Sequence, residues 1–245
     1  VTSPTVDFHN PAIGLTHDLL SLEGAVSLSG VTRGTQLYSN GDSADRIFAL
    51  TAGRVKTFVQ GPGGKDCLFQ IVGAGELFGE NALMGERTRQ ANAEVLERAS
   101  ISMIPVRSVM QYIDKHPEFW LTLAPLLQRR MRDLEQQIQW VSFLEVEQRL
   151  ARLMLRWAET NGRPESGLRL QLSQRDLAAM VGATRETASS ALNRLQRHGC
   201  IEIRRRLVVL VSLDKLRDHA GDFALEAATI LPTESTPELV RATSV

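Results

Sequence analysis

Arg185 and Glu186 stand side by side directly after Thr184, and Ser189 and Ser190 follow about one helical turn later. A guanidinium beside a carboxylate, with hydroxyls close by, is a set suited to the hydrogen-bonding edges of bases. The arginine fork fits the O6 and N7 acceptors of guanine, the carboxylate accepts from the cytosine N4 amine, and a serine hydroxyl bonds either partner more weakly. A carboxylate brought against a polyanion is costly unless it accepts such a bond, so Glu186 points to direct reading of bases rather than to charge attraction alone.

Those side chains need a helix to aim them. Ala188, Ala191, Leu192 and Leu195 fall at i, i+3, i+4 and i+7, which makes a buried stripe and leaves Arg185, Glu186, Ser189 and Ser190 on the opposite side, near the N-terminal end. Thr184 suits the N-cap of this helix. Upstream, Ser173 suits the N-cap of a shorter helix (QRDLAAMV), with Asp176 in its first turn and Gly182 at the left-handed position after it. Two helices joined by a tight glycine-bearing turn form a helix-turn-helix, whose second helix enters the major groove by its N-terminal end. Beyond it, residues 201–212 (IEIRRRLVVLVS) alternate around Arg204, Arg205 and Arg206. This predicts a β-hairpin wing that sets three guanidiniums near a phosphate backbone, forming a basic face with Arg194 and Arg197.

The charge distribution agrees. The 245 residues carry 28 Lys+Arg and 28 Asp+Glu, so the net charge is zero. Residues 145–219 nevertheless hold 14 basic and 9 acidic side chains, whereas residues 1–144 hold 13 and 15 and residues 220–245 hold 1 and 4. The positive charge sits in one block and is masked in the total, as expected of a polyanion-binding domain joined to something else.

That something else reads as β structure. Between about Gly30 and Pro105, short apolar runs (RIFAL, RVKTFV, CLFQIV, ASISMIP) are separated by glycine-bearing turns at Gly34, Gly41, Gly53, 61–64 and 73–75, which predicts a sandwich or roll. From Pro117 the period changes. Trp120, Leu123, Leu127, Met131, Leu134, Ile138 and Val141 are spaced 3, 4, 4, 3, 4 and 3, a narrow heptad-like stripe between polar flanks that include Arg129, Arg130, Asp133 and Glu135. The spacing predicts a long helix that pairs with its twin. A break near Phe143–Glu145 predicts a hinge, and a further helix runs to Trp157. The expected domains are a sensing roll over 17–117, a dimerisation helix over 118–143, a DNA-binding domain over 144–218 and an acidic, flexible tail over 219–245. Residues 1–16 read as an irregular arm and 161–167 as a loop.

Other classes are set aside. Hydrophobic residues make up 43% and charged residues 23%, an ordinary globular composition, and no run of 18 uncharged apolar residues is present. The first 30 residues show no basic start followed by an apolar run, so a cytoplasmic location is expected. Cys67 and Cys200 are too few for a disulfide framework, an iron–sulfur cluster or a four-cysteine zinc site. None of the five histidines lies in the β region, which argues against a metal-binding cupin, and no metal site is assigned. A haem would have only His17, His116 or Cys67 to draw on, and no spacing singles one out. No catalytic constellation stands out, so an enzyme is not expected.

With these residues in view, the chain resembles the Crp/Fnr family of transcription regulators over about residues 17–218. VGATRETASSALNRLQRHGCI (181–201) resembles the family's recognition element, FLEVEQRLARLML (143–155) its hinge and following helix, and GELFGENALMGERTRQANAE (75–94) its phosphate-binding cassette. The resemblance implies an α+β fold: an N-terminal jelly roll of the cyclic-nucleotide-binding type, a long dimerisation helix and a C-terminal winged helix-turn-helix. It implies base reading by Arg185, Glu186 and Ser190, with Ser173, Thr184, Ser189, Arg194 and Arg204–Arg206 as further DNA contacts. The wing lacks the family's usual glycine, and Ser190 stands where many members have a second arginine.

For the cassette, the resemblance implies an effector site at Phe78, Gly79, Glu80, Arg89 and Gln90. Glu80 would accept from a ribose hydroxyl, and Arg89 with exposed backbone N–H groups would hold a phosphate. Arg87 competes with Arg89 for that role. Gln90 is bulkier than the small residue usual there. Leu134 and Glu135 match the positions from which the central helix reaches an adenine, and neither offers a hydroxyl. The effector stays open between a cyclic nucleotide, another small molecule and none. The implied partners are double-stranded DNA, a second copy of the chain and RNA polymerase, with no membrane. A cyclic-nucleotide-responsive module acting on a protein partner is the alternative.

Overall fold

The computed structural model describes residues 18–62, 65–161, 168–170, 172–204 and 207–221. The expected arm, residues 162–167 of the expected 161–167 loop, Arg205, Arg206, His17 and the tail beyond Gly221 lie outside the described residues, while Asn161 ends a helix.

Two long antiparallel strands, β3 (Arg46–Gln60) and β6 (Asn92–Pro105), form the spine of the first half. β1 (Val26–Val31) and β2 (Gln36–Tyr38) pair with β6, while β4 (Asp66–Val72) and β5 (Leu77–Phe78) pair with β3. The runs RIFAL and RVKTFV, expected as separate strands, both belong to β3. Gly53 between them is a bulge rather than a turn. It has φ +85°, the register against β6 shifts around it, and a Cβ there would lie 2.3 Å from the Arg98 carbonyl oxygen. Glycine thus lets one strand bend where two were expected.

Side chains alternate across β3. Phe48, Leu50 and Val55 turn inward to meet Phe78, Val95 and Ile101 inside the roll. Ile47 and Ala49 turn outward and are equally buried, because α1 (Val106–Lys115) and the start of α2 (Phe119–Phe143) cover that face through Val109, Ile113, Phe119, Leu123 and Leu126.

The heptad-like stripe on α2 therefore divides. Its first part is committed to the chain's own roll: Leu123 is fully buried, and Trp120 and Leu127 pack against the same cluster. Its second part is open, with Met131, Leu134, Ile138 and Val141 exposed at 56, 41, 67 and 46%. α2 ends at Phe143. Leu144 is extended (φ −115°, ψ 146°), the Glu145 N–H donates to Gln148 Oε1 at 3.0 Å, and α3 (Val146–Asn161) begins.

The last third comprises α3, β7 (Leu168–Leu170), α4 (Gln174–Met180), α5 (Arg185–Arg197), β8 (Ile201–Arg204), β9 (Leu207–Leu210) and α6 (Leu213–Ala220), with sheet order β7-β9-β8. Leu150, Met154, Leu177, Leu192, Leu195, Cys200 and Leu216 share one core. His219 and Ala220, assigned to the tail from sequence, complete α6, because Leu216 and Ala220 at i and i+4 are both buried. The fold is α+β: a roll, a long helix and a winged helix-turn-helix.

Candidate nucleic-acid interface and effector cavity

α4 opens on a capping box. The Ser173 hydroxyl accepts from the Asp176 N–H at 3.1 Å and donates to Asp176 Oδ2 at 2.5 Å. Ser173 is thus occupied in shaping its helix. Gly182 takes φ +64° in the turn, where a Cβ would press on Val141 of α2 at 3.1 Å. α5 then starts at Thr184, whose Oγ1 accepts from the Thr187 N–H at 3.2 Å. Ala188, Ala191, Leu192 and Leu195 are buried, so the opposite face turns outward. Arg185, Glu186 and Ser190 are exposed, Ser189 is half-buried, and neither Arg185 nor Glu186 is paired with another described residue.

The remaining basic residues differ in availability. Arg194 is ion-paired through Nε to Glu147 of α3. Arg204 forms a two-bond pair with Glu202, both at 2.9 Å. Arg197 is exposed.

A cavity of about 1500 Å³ runs from the cassette along α2 to α3 and α4. Gly79, Glu80, Arg89, Gln90 and Leu134 line it. Phe78 and Glu135 do not: Phe78 is fully buried, stacked on Phe48 with centroids 4.9 Å apart, and Glu135 faces solvent. Of the competing arginines, Arg89 is buried in the cavity wall, whereas Arg87 is exposed on a shallow concavity elsewhere. Arg89 donates Nη1 to the Gly79 carbonyl at 3.1 Å and Nη2 to that of Arg46, and its guanidinium lies 4.5 Å over the Tyr38 ring. Its buried Nε has no hydrogen-bond partner among the described residues. Burial pulls its pKa down, against Tyr38 and nearby carboxylates, and pushes the Tyr38 hydroxyl up to about 12.

Glu80 is buried and ion-paired to Arg130, which also donates to the Leu77 carbonyl. Sequence reasoning placed Arg130 on a polar flank of α2. In fact it is drawn into the cavity wall, and Tyr38 joins the site unforeseen, because only folding brings α2 and β2 to the cassette. Among the haem candidates, His116 bonds Glu118 at 3.1 Å and Cys67 is an exposed β4 residue; neither lines the cavity.

The two halves of the chain are joined by charge. Lys56 Nζ meets Asp176 Oδ1 at 3.0 Å and Glu94 Oε1 at 3.2 Å, while Arg175 grips Asp66 with two bonds of 2.9 and 3.2 Å. Lys56, Asp66 and Asp176 are all buried. Phe58 and Leu68 of the roll pack on Ala179 of α4 beside them. Burial alone would raise the pKa of Asp176, but the Ser173 hydroxyl and the Lys56 ammonium outweigh it, and the net shift is downward. Among the described residues no helix is long and apolar enough to cross a membrane.

Comparison with known proteins supplies the family. The cyclic nucleotide-binding domain pattern matches residues 30–116, and the Crp-like helix-turn-helix domain pattern matches residues 148–219. A cyclic AMP receptor protein of Thermus thermophilus is 29% identical over 194 residues, covering 77% of this chain and 88% of its own. A CRP-like cAMP-activated global transcriptional regulator of Mycobacterium tuberculosis is 28% identical over 191 residues, covering 77% and 85%. The solved structure of a CRP-family transcriptional regulator, also from Thermus thermophilus, superposes with a TM-score of 0.66 at 27% identity, over 83% of this chain and all of that one. The chain belongs to the Crp/Fnr family, and is a transcription regulator that joins a domain of the cyclic nucleotide-binding type to a helix-turn-helix.

Proposed function

We propose that the protein acts as a homodimer on a pseudo-palindromic DNA site and answers to a small phosphate-bearing effector in the roll. The observation that carries the DNA reading is the free outer face of α5: Arg185, Glu186 and Ser190 stand exposed on a helix whose N-terminus is capped by Thr184. Two such helices would enter successive major grooves roughly 34 Å apart. Thr184, Ser189, Arg194 and the wing arginines Arg204–Arg206 serve the backbone around them, and Ser173 acts by shaping α4. The open stripe from Met131 to Val141 supports pairing of the long helices.

For the effector, Arg89 and Glu80 are the anchors. Arg89 keeps one buried N–H that meets no partner among the described residues, and the Glu80–Arg130 pair is a second charged group in the wall. Two similar relatives are named for cyclic AMP, and a cyclic nucleotide is the effector class we assign. Leu134 lines the cavity and belongs to the open stripe, so a ligand would press on the helix pair directly. The break at Leu144–Glu145 is where the DNA-reading domain would turn. RNA polymerase is the expected further partner.

The test is site selection from random duplexes, followed by binding titrations with Arg185→Ala. The substitution should cost about 1–3 kcal/mol at one base pair and relax preference there. Equal weakening on every sequence would reduce Arg185 to a phosphate contact. Absence of any salt-dependent DNA binding would favour a module acting on a protein partner.

A further inference from the structure

Three side chains that sequence spacing keeps apart meet on the DNA-reading domain, away from the cavity and from the outer face of α5. Glu147 lies in the first turn of α3, His198 caps the C-terminal end of α5, and His219 lies in the last turn of α6. His219 Nδ1 is 3.1 Å from Glu147 Oε1, and His219 Nε2 is 3.0 Å from His198 Nδ1. One donor atom from each residue falls within 4.8 Å of the others. We propose that Glu147, His198 and His219 form a binding site for a divalent transition metal ion of the zinc class.

The donor chemistry is the first argument. Two imidazoles and one carboxylate are a recurrent set for Zn²⁺, with bonds of about 2.0–2.2 Å and a fourth position left to water. Ligand atoms around such an ion lie about 3.3 Å apart by tetrahedral geometry, so the 3.0 Å nitrogen pair already has nearly the required spacing. The arrangement also sets the tautomer. With Nδ1 of His219 turned to the Glu147 carboxylate, Nε2 is left to face His198 Nδ1, and the carboxylate has only to swing from Nδ1 toward the ion to complete the set. His198 is exposed while Glu147 and His219 are half-buried, which leaves one open side for entry and for water.

The second argument is position. The three ligands come from α3, from the C-terminal cap of the recognition helix α5, and from α6. An ion here would tie the segment just after the α2–α3 break to the far ends of α5 and α6. Glu147 also holds Arg194 of α5 through its other oxygen. A carboxylate that turns to a metal ion weakens that hold, which makes Arg194 available to other partners.

The experiment uses the full chain carrying Cys67→Ser, so that the exposed thiol does not compete. Chelator-treated protein is titrated with Zn²⁺ against a chromophoric indicator, and with Co²⁺ while its visible spectrum is followed. One ion per chain is expected, with Co²⁺ bands of a four-coordinate site and a higher midpoint of thermal unfolding. Glu147→Gln removes an anionic ligand and should weaken binding by at least the roughly 10–100-fold that loss of an outer partner costs, and His198→Gln combined with His219→Gln should abolish the site. Far-UV circular dichroism confirms that each variant is folded; a variant that is not is replaced by His198→Asn or His219→Asn. Equal Zn²⁺ affinity in the starting protein and the folded double variant, or no binding by the starting protein, overturns the proposal. These readouts involve no DNA, so they stand or fall separately from the regulatory reading.

Discussion

Lys56→Met tests how the DNA-reading domain is held against the roll. The ammonium of Lys56 sits between Asp176 and Glu94 at 3.0 and 3.2 Å, and both Lys56 and Asp176 are buried. Methionine keeps most of the stem and deletes the charge, so Asp176 becomes a buried carboxylate without its closest cation. Removing one partner of a buried pair costs about 3–5 kcal/mol. Asp176 retains the Ser173 hydroxyl, and Arg33 lies 3.8 Å away; these remaining partners bring the expected loss to about 2–3 kcal/mol. The pair crosses from the roll to α4, so the same loss shifts the docking equilibrium by about 30–150-fold. Urea unfolding gives the stability change, and hydrogen exchange on α4 shows whether undocking precedes global unfolding. Pairing Lys56→Met with Asp176→Asn in a double-mutant cycle isolates the interaction, with a coupling of about 2 kcal/mol expected. A coupling below about 0.5 kcal/mol, with α4 exchange unchanged, would refute the view that this buried pair holds the domain in place.

Other outcomes follow from the same geometry. Because the folded-state pKa of Asp176 is lowered, its contribution is fully present above the ordinary value of 3.8 and is lost as pH falls through the lower folded value; in Asp176→Asn this acid-limb loss should shrink in an unfolding series from pH 5 downward. Ile138→Asp, at the most exposed point of the open stripe, should convert a dimer to a monomer in sedimentation velocity while leaving the helical signal intact. An unchanged sedimentation coefficient would remove α2 as the pairing element. Gly53→Ala sets a Cβ 2.3 Å from a backbone oxygen at a left-handed φ, and should cost about 2 kcal/mol or more in urea unfolding. A loss near zero would show that the β3 bulge relaxes freely.

Much of the candidate site was legible in the chain itself. The 3.6-residue period of Ala188, Ala191, Leu192 and Leu195 fixes which face of α5 is buried, and by default which face carries Arg185, Glu186 and Ser190. Ser173, Thr184 and Gly182 mark helix starts and a stop through backbone hydrogen bonds and φ, which are local properties. Glycine alone, by contrast, does not tell a turn from a bulge, and Gly53 was misplaced on that account. The α2 stripe was visible, but its division was not: whether an apolar helical position faces the chain's own roll or stays open depends on what lies across from it.

Periodicity, caps and charge blocks are written within a few residues of each other, so the amino-acid order determined the element types, the outer face of α5 and the basic block. Contacts between distant segments are decided only when the chain closes on itself. The pairing of Arg130 with buried Glu80, the Lys56–Asp176 link across 120 positions, and the meeting of Glu147, His198 and His219 all depend on the path of the backbone between them. No local energy term encodes that path, and the tertiary structure alone supplied these three groupings.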